Sequence, residues 1–404
     1  MNSLTVGKNI AKLRKKLGIT QTELAGMLNV TDKAISKWEC GQGYPEITQL
    51  PALSKIFGVS TDYLIKGNSK GIVIAGNILA DIVCSIDKYP QKGMLTNITS
   101  QVRSVGGCVP NTIIDIAKMD SEVYLTALGK VGNDEIGKYV LNQMKSNGID
   151  VSNVKLSASK PTSCTYVMAE EKTGERTFFH DRGANSEFCP ADIDIDSLDC
   201  EIFHIGYILL LDEMDKKDDE YGTQMARVLH DVQAKGIRTS IDVVSEEGDR
   251  FAAKVVPALK YCNFAIMNEI ESCMVTGLDP KNSDGSINVD NIRKTMEKFI
   301  EYGVKEKVII HCREAGFSLS ANGDFTVVPS LELPSGFIKG NVGAGDAYAA
   351  GSLYGLYSGF GDKEILEFAS AAAAYSLSEP DATSGMQSKE KIYELEKSLK
   401  RMSL

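Results

Sequence analysis

The 404-residue sequence predicts two folds in tandem, a small all-α bundle followed by an α/β domain built on a mostly parallel sheet. Three observations predict this. Over Met1–Gly67, apolar residues recur at helical spacing in short bursts; from Gly71 onward, short β-branched runs alternate with helical stretches. Third, Gly343-Ala344-Gly345-Asp346 sets a bare turn and one carboxylate at the start of an apolar helix. The polar stretch Lys66–Lys70 carries a helix-stopping glycine, so 1–67 is taken as the first domain, 68–70 as a linker and 71–404 as the second domain.

In the first domain, Ile10, Leu13 and Leu17, then Leu24, Ala25 and Leu28, then Ala34, Ile35 and Trp38, and finally Leu50, Leu53, Ile56 and Phe57 mark successive amphipathic helices. Thr20 is a capping residue ahead of Gln21, and Asn29-Val30-Thr31 is a tight turn into a helix starting near Asp32. Two short helices joined so closely make a helix-turn-helix. Trp38 falls where the third helix packs on the first, which makes it core. The segment carries nine Lys/Arg against five Asp/Glu, whereas the rest carries 35 against 49, so a surface for a polyanion belongs at the N-terminus.

Gln21-Thr22-Glu23-Leu24-Ala25, Val30-Thr31-Asp32-Lys33-Ala34-Ile35-Ser36-Lys37-Trp38-Glu39 and Gly41 together resemble the phage-repressor (XRE) helix-turn-helix family over nearly all of Met1–Leu64. The resemblance implies a third helix in the major groove of double-stranded DNA. Asp32, Lys33 and Lys37 would meet base edges, while Gln21, Thr31 and Ser36, with Arg14 or Lys15, would reach phosphates. Reading two half-sites implies a homodimer. The same helices can also be read as a protein-binding module.

In the second domain, Gly71–Ile74, Val123–Thr126, Phe203–Ile205, Thr239–Asp242, Phe264–Met267 and Val308–Ile310 are strand-like runs, and ligands of such sheets bind beyond the carboxyl ends of the strands. Gly76–Asp81 reads as a loop after the first strand, with Asp81 suited to sugar hydroxyls. Gly106-Gly107 is a second bare turn, running into a helix with Asn111 on its first turn. In Asn268-Glu269-Ile270-Glu271 a carboxylate can hold Mg2+ through water beside an amide that touches phosphate. Taken singly, Asp81 could equally cap a helix, Gly106-Gly107 could be only a turn, and Glu271 an exposed helix residue.

In this order and spacing, Gly106-Gly107-x-x-x-Asn111, Gly129-Lys130-Val131-Gly132-Asn133-Asp134-Glu135-Ile136-Gly137, Asn268-x-x-Glu271 and Gly343-Ala344-Gly345-Asp346 resemble the PfkB/ribokinase family of carbohydrate and nucleoside kinases, over Gly71 to about Leu395. The resemblance implies a Rossmann-like α/β ribokinase fold with a small β-sheet lid from Cys84–Arg103 and Thr162–Arg182, Thr177–Asn185 being its returning strand. It implies ATP and Mg2+ as cofactors and a sugar or nucleoside as substrate. Asp346 would take the proton of the attacking hydroxyl, and the N–H groups of Gly343, Ala344 and Gly345 would bind the transferring phosphoryl. Asp81, Gly106, Gly107 and Asn111 would hold the acceptor, Asn268 and Glu271 would position Mg2+ and phosphates, and Arg313 and Gly316 would lie near the nucleotide.

The pattern departs from the family at Gly340-Asn341, where Asp-Thr is common, which leaves activation by a monovalent cation open. Leu79 stands where ribokinases place a polar sugar contact, Arg313 where a glycine is usual, and Val244 where an Asn follows Asp242. Two readings therefore stand together: an active kinase joined to a DNA-binding domain, and a transcription factor whose kinase-like domain only senses a ligand. Nine cysteines without a C-x-x-C pair, and His180, His204, His230 and His311 without ligand spacing, show neither a disulfide framework nor a zinc motif. The apolar runs are too short to span a bilayer and no signal-type core opens the chain, so a cytoplasmic protein without a membrane partner is expected.

Overall fold

The structure, a computed structural model, describes residues 3–404 except 58, 60, 67–69, 174, 246, 247 and 341. Linker residues 68 and 69, and Asn341, thus lie outside the described residues. The chain divides into two compact units, Met1–Gly71 with Glu122–Tyr124, and Ile72–Ser121 with Leu125–Leu404.

The first unit is helical: α1 Ser3–Lys16, α2 Gln21–Leu28, α3 Asp32–Glu39, α4 Leu50–Phe57 and α5 Thr61–Lys66. Thr20 opens α2 with a reciprocal cap, its hydroxyl accepting from Glu23 N at 3.2 Å while the Glu23 carboxylate accepts from Thr20 N at 2.6 Å. Asn29 closes α2 in the left-handed region, and the Thr31 hydroxyl then caps α3 by accepting from Ala34 N at 3.2 Å. Val6, Ile10, Leu24, Ile35, Trp38, Leu53 and Leu64 form the core. Gly7 lets α1 cross the end of α3, since a Cβ there would meet the Trp38 carbonyl at 1.9 Å. Leu17, expected in the core, is 49% exposed because α1 ends one residue earlier.

In the second unit the strands are β1 Gly71–Gly76, β2 Leu79–Ile86, β3 Ile98–Gly106, β4 Leu125–Gly132, β5 Lys155–Ser157, β6 Ser163–Glu170, β7 Arg176–Asp181 and β8 Cys200–Ile208. After a short ribbon of β9 Lys217–Asp218 and β10 Gly222–Thr223 come β11 Arg238–Val243, β12 Phe264–Asn268, β13 Lys307–His311, β14 Ala315–Ser320 and β15 Phe325–Pro329. Among the described residues the main sheet runs β15-β14-β13-β12-β11-β8-β1-β4-β5. The pairs β1–β4, β4–β5, β8–β11, β11–β12 and β12–β13 are parallel; β13–β14 and β14–β15 are antiparallel. The helices are α6 Cys108–Met119, α7 Glu135–Ser146, α8 Gln224–Ala234, α9 Phe251–Leu259, α10 Glu269–Thr276, α11 Val289–Tyr302, α12 Ala344–Ser358, α13 Asp362–Ser376 and α14 Lys389–Ser398. Apolar strand residues such as Phe203, Ile205, Ile241 and Ile310 are fully buried, as a sheet covered on both faces requires.

A second sheet, β3-β2-β6-β7, forms the expected lid. It begins earlier than expected. Asp81 lies inside β2, paired with Ser104 and Thr165, and is neither in a loop nor at a helix cap. Along β2 the face carrying Asp81 continues through Val83, which pairs with Val102 and Val167; Val167 in turn pairs with Phe178. Val102 and Phe178 are 61% and 60% exposed.

Candidate active site

Asp346 sits in the first turn of α12 and is 7% exposed. Both of its oxygens accept a hydrogen bond: the Asn111 amide donates to Oδ2 at 2.9 Å and the Tyr207 hydroxyl to Oδ1 at 2.5 Å. Burial raises the Asp346 pKa, and these two bonds, which favour the ionised form, oppose the rise. A carboxylate has about four lone-pair sites, so two remain for an incoming hydroxyl. The Asn111 Oδ1 atom is buried without a partner and can accept from the same ligand.

The turn before α12 is bare for two different reasons. Gly343 has φ +80°, and a Cβ there would meet Ala382 Cβ at 2.4 Å, so the fold itself requires glycine. At Gly345 a Cβ would find only His311 Cε1, at 3.6 Å, so packing does not explain that glycine and open approach to the N–H groups of Ala344 and Gly345 does. Gly340 packs under the next segment, where a Cβ would meet the Glu379 carbonyl at 2.6 Å. A side chain at this position would need the Glu379–Pro380 backbone to shift.

On the lid side, Gly106 makes space for Asp81, since a Cβ there would lie 2.4 Å from Asp81 Oδ2. Gly107, at φ +86°, caps α6 against the Asn77 carbonyl. Leu79 is buried and pairs with Gly106. Burial pushes Asp81 up to about 7; the Thr165 hydroxyl opposes the rise and the field of Asp346 adds to it.

At the end of β12, Asn268 and Glu271 cap α10 reciprocally. Asn268 Oδ1 accepts from Glu271 N at 2.8 Å, and Glu271 Oε2 accepts from Asn268 N at 3.2 Å. The Ser245 hydroxyl donates to Glu271 Oε1 at 2.8 Å. Glu271 is 6% exposed, so it is not an exposed helix residue. Burial raises its pKa, as it does for Asp242 at the end of β11, and each of these carboxylates also feels Asp346. Glu271, held by the Asn268 backbone N–H and the Ser245 hydroxyl, fits a divalent cation, whose charge would also relieve its repulsion with Asp242 and Asp346.

Arg313 is exposed in the turn between β13 and β14. Gly316 is buried on β14 against α12, where a Cβ would meet the Tyr348 hydroxyl at 1.9 Å, so packing accounts for this glycine rather than nucleotide contact. Sequence reasoning missed Tyr207, Ser245 and Asn77, whose Oδ1 accepts from Tyr207 N at 2.7 Å.

In the first unit Asp32, Lys33 and Lys37 are exposed on α3, and Thr31 is exposed at its cap. Ser36 is partly buried, and the Gln21 amide donates to Glu39 Oε2 at 2.7 Å. Arg14 was expected near phosphate. Its Nε and a terminal nitrogen instead grip Glu39 at 2.6 and 2.9 Å, while Lys15 is exposed.

A mostly parallel sheet whose strand ends face a helix-borne carboxylate, under a separate four-stranded lid, is the architecture of an α/β phosphotransferase. The chain belongs to the pfkB family of carbohydrate kinases, whose profile matches residues 69–389, and so acts as a phosphotransferase with an alcohol acceptor. A ribokinase of Schizosaccharomyces pombe is 24% identical over 326 residues, which cover 78% of this chain and 95% of that protein. A 5-dehydro-2-deoxygluconokinase of Geobacillus thermodenitrificans is 24% identical over 319 residues, covering 71% and 82%. The fold is shared with Arabidopsis thaliana ribokinase complexed with ribose and ATP, at TM-score 0.68 and 20% identity, over 82% of this chain and 99% of that one. Residues 10–64 match the helix-turn-helix family. Among the described residues no helix is long and apolar enough to cross a membrane.

Proposed function

We propose that the protein phosphorylates a hydroxyl of a sugar or nucleoside from ATP, with Asp346 as general base, and that residues 1–67, joined through 68–70, bind operator DNA so that the chain regulates transcription. The observation that carries the catalytic half is the buried Asp346 carboxylate, oriented by Asn111 and Tyr207 at the N-terminus of α12. Asp81 and the Asn111 carbonyl align the acceptor from the lid and the floor, and Asp346 takes the proton as the acceptor oxygen attacks phosphorus. The N–H groups of Gly343, Ala344 and Gly345 meet the charge on the transferring phosphoryl. Asn268 and Glu271 are the residues that would hold Mg2+, Glu271 through water. When bound, the ion supplies charge neutralisation to the phosphates.

Asp32, Lys33, Lys37, Thr31 and Ser36 would face DNA, and Gln21 would do so after exchanging its bond to Glu39. A homodimer would place two such helices on two half-sites, and the apolar lid face at Val102 and Phe178 offers a surface that a second copy could cover. This arrangement implies a cytoplasmic protein. The packing of Gly340 favours a second reading, a ligand sensor without turnover, because it departs from the family at a cation position. One experiment separates the two. ADP release is measured with a panel of sugars and nucleosides, and Asp346→Asn is expected to lower turnover by about 10²- to 10⁴-fold. A wild-type protein that binds ligand and DNA yet turns over nothing on the panel would leave the sensor reading standing.

A further inference from the structure

Beside the Gly206–Tyr207 segment, three side chains of metal-binding type converge from three elements. Cys108 opens α6, His204 lies in β8 and Asp242 lies near the end of β11; one ligand atom from each lies within 4.8 Å of the others. Cys108 and His204 are fully buried and Asp242 is 8% exposed.

The distances suit a tetrahedral ion. Cys108 Sγ stands 3.6 Å from His204 Nε2. Zn–S and Zn–N bonds of about 2.3 and about 2.0 Å at a tetrahedral angle span an edge of about 3.5 Å. The other ring nitrogen, His204 Nδ1, lies 3.0 Å from the Ser240 hydroxyl, the outer partner that fixes the ring of a ligating histidine. Asp242 Oδ1 accepts from Val243 N at 2.7 Å, while its charged neighbours are the acids Glu271 and Asp346. Gly206 closes the cradle: a Cβ there would lie 2.8 Å from Cys108 Sγ and 3.2 Å from Asp242 Cβ.

We propose that Cys108 Sγ, His204 Nε2 and the Asp242 carboxylate bind a thiophilic divalent ion of the Zn2+ class, at a site separate from the Mg2+ position at Glu271. On binding, the Cys108 thiol releases its proton to solvent. The thiolate, the imidazole lone pair and one carboxylate oxygen then make three bonds, with water in the fourth position. Mg2+ does not compete, because it selects oxygen ligands in an octahedron. The ion ties α6, which carries Asn111, to β8, which carries Tyr207, and so couples the two elements that orient Asp346. This inference stands apart from the catalytic reading, since its test needs no turnover.

The full chain, stripped with a chelator and held in excess Mg2+, is titrated with Zn2+ and separately with Co2+. One ion per chain, proton release on binding and a near-ultraviolet thiolate-to-cobalt band are expected. Cys108→Ser should remove the band and weaken binding by at least about 100-fold, more than loss of an outer-sphere partner costs. His204→Gln should weaken binding similarly, and Cys84→Ser, a buried lid thiol, should change neither. A wild-type chain that shows no thiolate band overturns the proposal, whether or not the variants fold. A band that persists in Cys108→Ser, or disappears in Cys84→Ser, overturns it equally.

Discussion

Replacing Tyr207 with Phe removes one oxygen and one hydrogen bond from the base while leaving the ring in place. The lost bond is short, 2.5 Å from Tyr207 Oη to Asp346 Oδ1, and its acceptor is buried. Burial also raises the Tyr207 pKa, so its hydroxyl remains a donor across the working range. A hydrogen bond to a charged group contributes about 1.5–3 kcal/mol. At about 1.4 kcal/mol per factor of ten, kcat should fall by about 10- to 100-fold at neutral pH. The sign for acid is fixed by the donor. Tyr207 favours ionised Asp346, so its removal raises the Asp346 pKa further, and the acid limb of the kcat profile should move to higher pH. KM for the acceptor should change little, because the substitution leaves Asp81 and the Asn111 carbonyl, the groups proposed to hold it, in place. The assay is steady-state ADP release from pH 5 to 9 in both proteins. Superposable profiles with equal kcat would refute the role of Tyr207 in orienting and ionising the base.

Other perturbations test other parts of the chain. With the folded pKa of Asp81 raised to about 7, its contribution to stability is present below about pH 4 and lost as pH rises to about 7; in Asp81→Asn, thermal melts from pH 4 to 8 should lack that decline. Arg14→Ala removes the bidentate partner of half-buried Glu39, to which Gln21 still donates, and should destabilise the N-terminal helices by about 1.5–3 kcal/mol, seen as an earlier urea transition in the full chain. Lys37→Ala should weaken operator binding and, if Lys37 meets phosphate rather than a base, reduce the slope of log affinity against log salt by about 1. An unchanged affinity would remove Lys37 from the DNA surface.

What the sequence revealed and what it hid follow from the range of the contacts. The strands were legible because β-branched runs such as Phe203–Ile205 and Val308–Ile310 are local signals, and the turn at Gly343–Asp346 because its glycines and carboxylate are adjacent. Thr20 announced a helix start for the same reason. Asp81 was placed in a loop because Gly76 reads as a strand end, whereas the chain re-enters a sheet only three residues later, at Leu79. Tyr207 was invisible: in sequence it is one aromatic residue at the end of an apolar run. Its hydroxyl acquires meaning only when β8 brings it to a carboxylate 139 positions away. Cys108, His204 and Asp242 were hidden likewise, since no spacing rule joins residues that meet only through sheet order. Leu17 kept the helical period, but the helix stops short of it.

Past its open first two residues, the helix that carries Asp346 has no solvent side; every residue from Asp346 to Leu356 is buried, and Gly351 lets α13 approach so closely that a Cβ would touch Ala369 Cα at 2.8 Å. Such a helix cannot tilt or slide without opening the core, so Asp346 keeps its place. The lid is a separate sheet, joined to the main one through the two residues between Gly76 and Leu79 and the five between Ser157 and Ser163, among other links. An acceptor would therefore have to be brought into line with Asp346 from the lid side of the site, where Asp81 stands, since the carboxylate itself has no room to adjust.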